Sequence, residues 1–186
     1  MPFSHSSPYA QLTSRQQACI GRFVTEWANA EFYLGVLLGR LLGTPEYLAR
    51  TYTDFLGAAQ IQQAIAQALE IHHHRYVDRL VQEPLAKELA GINRKIDKLR
   101  SLRNKFAHYC WMRNTDEVMF GTPLSGASPD TKRGARSHIE ITVAEIDRAH
   151  DELFAINSRL EEMAAEIPEV PEEAHIAAFK QARVGA

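Results

Sequence analysis

LAKELAGINRKIDKLRSLRNKFAHYC, residues 85–110, decides the fold. Leu85, Leu89, Ile92, Ile96, Leu99, Arg103, Phe106 and Cys110 follow one another at steps of four and three, so in an α-helix they form a single seam. Pro84 suits the first turn of that helix, where its missing N–H would have no partner anyway. Every seam position but one is apolar. The exception, Arg103, stays charged at any ordinary pH, and burying it unpaired is expensive.

The same periodicity recurs on both sides. Ile20, Val24, Trp27, Glu31, Leu34, Leu38 and Leu41 predict a long first helix, opened by Thr13 or Ser14 as N-cap and stopped by Gly43, with Glu31 as its one misfit. The Ala-, Gln- and Leu-rich run from Ala58 to Val81 predicts a second helix with Ile61, Ile65, Leu69 and Tyr76 on its apolar side. Thr142-Val-Ala-Glu145 is a capping-box sequence, and Ile146, Ala149, Leu153, Ile156, Leu160, Met163 and Ile167 continue it as a last long helix ended by Pro168 and Pro171. Between the third and last helices, EVMFG (117–121) and HIEIT (138–142) flank a Gly-, Pro- and Ser-rich loop, the pattern of a β-ribbon.

Amphipathic helices can hide their stripes only against one another or against a second copy. The expected fold is therefore all-α: a helical bundle of four to five helices with a small β-ribbon inserted before the last long helix. Residues 1–12 are expected to be flexible, 13–167 to form the domain with an insertion at about 114–141, and 168–186 to add a short helix or fray.

Composition bounds the function classes. With 186 residues, 45% hydrophobic and 24% charged, the chain is long enough for one sizeable core and is neither collagen-like nor wholly disordered. No apolar run approaches the roughly 18 residues of a membrane span, and no basic-then-apolar leader opens the sequence. Cys19 and Cys110 match no metal or redox spacing, which leads us to expect a reduced, cytoplasmic protein. No phosphate-binding loop, dinucleotide fingerprint, zinc-spaced cysteine set or nucleophile elbow is present, so neither a cofactor nor a metal is expected. His72, His73 and His74 point about 100° apart on a helix and cannot converge on one ion unaided.

The net charge of −2 means that any site for a polyanion must be local. One such patch exists: between Gly91 and Arg113 lie seven basic residues, Arg100 and Lys105 among them, against the single acid Asp97. It could attract an RNA backbone, with Tyr109 and Trp111 stacking on unpaired bases. Glu140–Glu172 holds ten acids against two arginines, however, so the helices could equally neutralise each other, and Trp111 could be core. Lys132, Arg133 and Arg136 make a smaller basic set on the ribbon loop.

Within the patch, Asn104, His108 and Trp111 are spaced to share a helix face, and Arg103 lies about 140° from His108, within reach of a long side chain. A fixed cation, an amide and an imidazole suit phosphodiester cleavage: imidazole moves protons near neutrality, and arginine stabilises charge on phosphate. A surface histidine on a basic helix accounts for the same spacing. Glu31 and Arg103 could likewise be a structural ion pair, or could both face a polar cleft.

Arg103-Asn104-Lys105-Phe106-Ala107-His108 resembles the R-x4-H signature of HEPN domains, in which a polar residue, often Asn, follows the arginine. Glu31, in WANAE, is similar to a carboxylate often found on the first long helix of that family. The resemblance implies a helical bundle that cleaves RNA without metal, with its site where two protomers bring their motifs together. It implies His108 as acid or base, Arg103 as phosphate clamp, Asn104 as orienting amide and Glu31 as a positioning carboxylate. Arg100, Lys105, Tyr109 and Trp111 are the matching RNA-contact candidates. The family also includes non-catalytic members, so the alternative is an interaction or nucleotide-binding module with a protein partner of the antitoxin type.

Overall fold

The computed structural model describes residues 11–75, 81–123 and 138–184. Among them are six helices, α1 (Ser14–Leu41), α2 (Glu46–Thr53), α3 (Ala58–Arg75), α4 (Glu83–His108), α5 (Val143–Glu166) and α6 (Glu172–Val184). Three strands, β1 (Tyr109–Arg113), β2 (Val118–Pro123) and β3 (Ile139–Thr142), form an antiparallel sheet in the order β1-β2-β3. The all-α class holds, with more elements than the periodicity suggested. The helix after Pro45 is too short to show a stripe, and β1 replaces the expected last turn of α4. No helix among the described residues is long and apolar enough to cross a membrane. The basic loop set Lys132, Arg133 and Arg136, the N-terminal decapeptide and Tyr76 lie outside the described residues.

The chain divides into two compact units. The first, Met1–Ala28 with Lys98–Phe154, contains the sheet, the start of α1, the end of α4 and the start of α5. Its core is Cys19, Phe23, Trp27, Leu99, Phe106, Met119, Ile141, Val143, Ile146 and Leu153. On α1 the buried face runs through Gln16, Cys19 and Phe23, one residue out of phase with the expected Ile20 and Val24; Val24 is exposed. The aromatic Phe23 wins the inward position by packing edge-on to Phe106 of α4, ring centroids 5.4 Å apart.

Thr13 and Gln16 form a capping box at the start of α1. Gln16 N–H donates to Thr13 Oγ1 (3.2 Å), and Gln16 Oε1 accepts from Thr13 N–H (2.9 Å). Fully buried, Gln16 also donates from Nε2 to the carbonyls of Thr115 (2.8 Å) and Asp116 (3.2 Å), fastening the β1–β2 turn to the helix. Thr142 and Glu145 repeat the box on α5: Glu145 N–H donates to Thr142 Oγ1 (3.1 Å), and Glu145 Oε2 accepts from Thr142 N–H (2.7 Å).

The second unit, Asn29–Asp97 with Ala155–Ala186, is wholly helical among its described residues. Leu34, Leu37, Leu38, Ile65, Leu89, Ile96, Leu160 and Met163 are its most deeply buried large side chains. A reciprocal clasp joins α3 to α4: Gln62 Nε2 donates to Asn93 O (2.8 Å), and Asn93 Nδ2 donates to Gln62 O (2.9 Å). Arg159 of α5 binds both carboxylate oxygens of Glu88 on α4 (2.7 and 2.8 Å), which holds the Glu88 carboxyl below its ordinary range. Glu88 lies before the basic run of 91–113, and the pair joins an acid of α4 to a base of α5.

Gly43, at φ 61°, ends α1 in the left-handed region that favours glycine. Beyond it, α2 returns onto α1 through small residues. A Cβ on Gly39 would lie 2.7 Å from Ala49 Cβ, and one on Gly35 would meet Thr53 at 3.7 Å. Gly35 and Gly39 are four residues apart, as are Ala49 and Thr53, so two small-residue stripes bring the backbones together.

Candidate active site at the end of α4

α4 presents the proposed motif along its last turns and ends on it. Leu99 and Phe106 are buried on the predicted seam, while Arg103, on the same seam, is half-buried. Its Nη1–H donates to Asn104 Oδ1 at 3.3 Å, so guanidinium and amide stand together, with Asn104 itself exposed. His108 is the last helical residue, and its imidazole is exposed. Cys110 is not on the helical seam, because the chain has already turned into β1.

The helix stops there for a local reason. Tyr109 pairs with Pro123 in the sheet, and the indole N–H of Trp111 reaches back to the carbonyl of Lys105 at 3.2 Å. That carbonyl is one of the four that a helix end leaves without an amide partner. The Trp111 ring lies 5.3 Å from that of Phe106 and covers Gly121, its cross-strand partner. A Cβ on Gly121 would approach the ring to 2.8 Å. Trp111 is thus a structural cap and cannot share a helix face with Asn104 and His108. The ring packs against Phe106 and Gly121, and Trp111 stays half-buried. Tyr109 stacks on it, centroids 6.2 Å apart, and remains half-buried beside His108.

Lys98, Ser101, Lys105 and His108 follow steps of three, four and three, so they form one stripe, exposed at Lys98, Ser101 and His108 and half-buried at Lys105. Arg100 is half-buried. From Lys98 to Arg113 the chain has five basic residues and no acid. Lys98 and Ser101 were not singled out by the motif. The same periodicity that found the apolar seam, applied to the polar side of the helix, would have found them.

Glu31 belongs to the second unit, half-buried on α1, where it lines a narrow cleft with Phe32, Gly35, Arg50, Thr53 and Asp54. In the histidine triplet, His72 is buried with Nε2 on the Leu41 carbonyl (2.7 Å), and exposed His74 meets Glu70 at 3.2 Å. His72 thus serves a contact of its own, while the rings of His73 and His74 lie edge-on to each other, centroids 4.7 Å apart. Cys19 and Cys110 are free thiols; buried Cys19 lies 3.4 Å from Asp147 Oδ1 and 3.4 Å from Arg22 Nη2, an arrangement that raises the Arg22 pKa.

Chemically, the end of α4 offers a fixed cation, an amide bonded to it, an accessible imidazole and a basic approach. That set can bind a phosphodiester and move a proton. No protein-family model, curated protein or solved structure matches the chain.

Proposed function

We propose that the chain is a HEPN-like endoribonuclease whose Arg103 and His108 cleave RNA phosphodiesters without a metal ion. The observation that carries this reading is the placement of Arg103, bonded to Asn104, five residues before an exposed imidazole at the end of a basic helix. The guanidinium offsets the charge that accumulates on phosphorus-bound oxygens as a 2′-hydroxyl attacks. Asn104 steadies the guanidinium by accepting from Nη1, one face of a group whose planar fork of N–H donors matches phosphate. Lys98 and Lys105 supply sequence-independent attraction to the backbone.

Transesterification moves two protons, one from the 2′-hydroxyl and one to the departing 5′-oxygen. The helix end carries one imidazole, so a second protomer supplying its own His108 completes the acid and base pair.

The test is cleavage of a single-stranded RNA by the purified chain in EDTA. Wild type is expected to cut, with His108→Ala and Arg103→Ala inactive but as helical as wild type. Full activity in His108→Ala would refute the assignment. An interaction module of the antitoxin-partner type is the second reading, favoured by the apolar surface around α2. It gives intact RNA throughout and a melting temperature lowered by Arg103→Ala.

A further inference from the structure

α2 is built inside out. Its inner residues, Ala49 and Thr53, are small and buried against Gly39 and Gly35, whereas Tyr47 and Leu48 face away and only Tyr52 of its large side chains turns partly inward. Tyr47 is 76% exposed, Leu48 46%, and Phe55, just past the helix, 86%; Phe32 of α1 adds a ring that is 48% exposed. Phe32 adjoins this surface through Arg50, whose guanidinium lies 5.0 Å over its centroid. Four large apolar side chains thus stand in water around one short helix whose packing does not use them.

We infer that this face, Phe32, Tyr47, Leu48 and Phe55, seats a second copy of the chain with the two α2 helices antiparallel. Area supports a protein partner. A standard interface covers about 800 Å² per side, of which roughly 57% is non-polar, so each side needs about 450 Å² of apolar surface. Taking about 150–250 Å² for each large side chain, the three aromatics and Leu48 at their observed exposures supply roughly 380–640 Å², a range that spans this need. Charge supports an identical partner. Glu46 and Arg50 already pair at 2.7 Å, leaving the helix no net field with which to select an acidic or basic ligand. Across a two-fold axis, antiparallel α2 helices bring Glu46 toward Arg50 of the second copy and Arg50 toward its Glu46, so one helix complements itself.

The inference stands apart from the nuclease reading, since it rests on α2 and Phe32 alone and takes nothing from His108. It is tested by sedimentation equilibrium on the full chain at micromolar concentrations, with RNA cleavage measured separately. Wild type is expected to be a dimer. Tyr47→Ser with Phe55→Ser is expected to weaken it by about thirtyfold or more, the usual effect of losing a central aromatic anchor, while the helical content stays that of wild type. Glu46→Arg alone should weaken the dimer, and adding Arg50→Glu should restore it by reversing both charges. Ile176→Ser with Phe179→Ser, exposed on α6, should leave it intact. A monomeric wild type overturns the inference, as does a dimer indifferent to both the serine pair and the charge swap. A dimer that behaves as described but leaves RNA uncut refutes the nuclease proposal alone.

Discussion

Replacing glycine by alanine at three helical positions separates close packing from intrinsic helix preference. At Gly21 in α1 and Gly91 in α4 a methyl group would find nothing within 4 Å, so alanine there adds helix propensity without a clash. Each change is worth about 0.8–1.0 kcal/mol, or a rise of roughly 2–4 °C in Tm for a chain of this size. Gly39 has the same propensity to gain, but its methyl would sit 2.7 Å from Ala49 Cβ, closer than real Cβ atoms approach. Neither atom is the end of a flexible side chain, so α2 must move as a body. Overpacking of this kind costs about 1–3 kcal/mol, which outweighs the gain and leaves Gly39→Ala less stable than wild type by up to about 2 kcal/mol. Calorimetry on the three variants reads the result directly: two melting points above wild type and one below. A Gly39→Ala protein as stable as Gly91→Ala would refute the small-residue contact between α1 and α2. Ala49→Gly in the Gly39→Ala background should recover part of the loss, because it removes the atom that the new methyl meets.

Other perturbations probe the remaining supports. Trp111→Phe keeps a ring over Gly121 but leaves the Lys105 carbonyl without its indole donor, and should cost about 1–2 kcal/mol in urea titration. Gly121→Ala should cost about 1–3 kcal/mol by pushing the indole from its place, seen as a shifted Trp111 indole N–H resonance. The Glu145 carboxyl is held below its ordinary value, first by the Thr142 backbone N–H and then by the Thr142 hydroxyl. A depressed native pKa gives stability that is present above the unfolded carboxyl's value and lost as pH falls through the native one. Glu145→Gln should therefore lower Tm near neutrality and approach wild type in acid, and equal losses at both pH values would contradict the capping box. Gln62→Leu removes the donor to the Asn93 carbonyl from a buried position and should destabilise by about 1–3 kcal/mol.

How much was legible follows from where the side chains do their work. The apolar seams of α4 and α5 were readable because Leu89, Ile96, Leu153 and Leu160 pack as their spacing implies and are buried in the structure. The first turns of α1 misled because Ile20–Val24 and Cys19–Phe23 satisfy the same period one residue apart. Only the contact of Phe23 with Phe106 chooses between them. Hydrophobicity gave no sign of α2, since its buried residues, Ala49 and Thr53, are small while Tyr47 and Leu48 face solvent. β1 was hidden inside an apparent helix because Cys110 continued the seam. The pairing of Trp111 with Gly121 ends that helix from a distance in sequence that no periodicity records. Arg103, Asn104 and His108 were found by their order along one helix, and that order survives folding because α4 runs unbroken to His108. The helix face that Trp111 was expected to share with Asn104 and His108 is lost for the same local reason that the helix stops: Trp111 is already in β1.

Substrate chemistry offers the sharpest test of a nuclease in which His108 takes the proton of a 2′-hydroxyl. A single-stranded RNA cut by wild type is resynthesised with 2′-deoxyribose at the cleaved nucleotide alone, and the ends formed from the parent RNA are identified by mass spectrometry. The account predicts a 2′,3′-cyclic phosphate from the parent and no cleavage at the deoxy position. Undiminished cutting there, or a 5′-phosphate end, would contradict it.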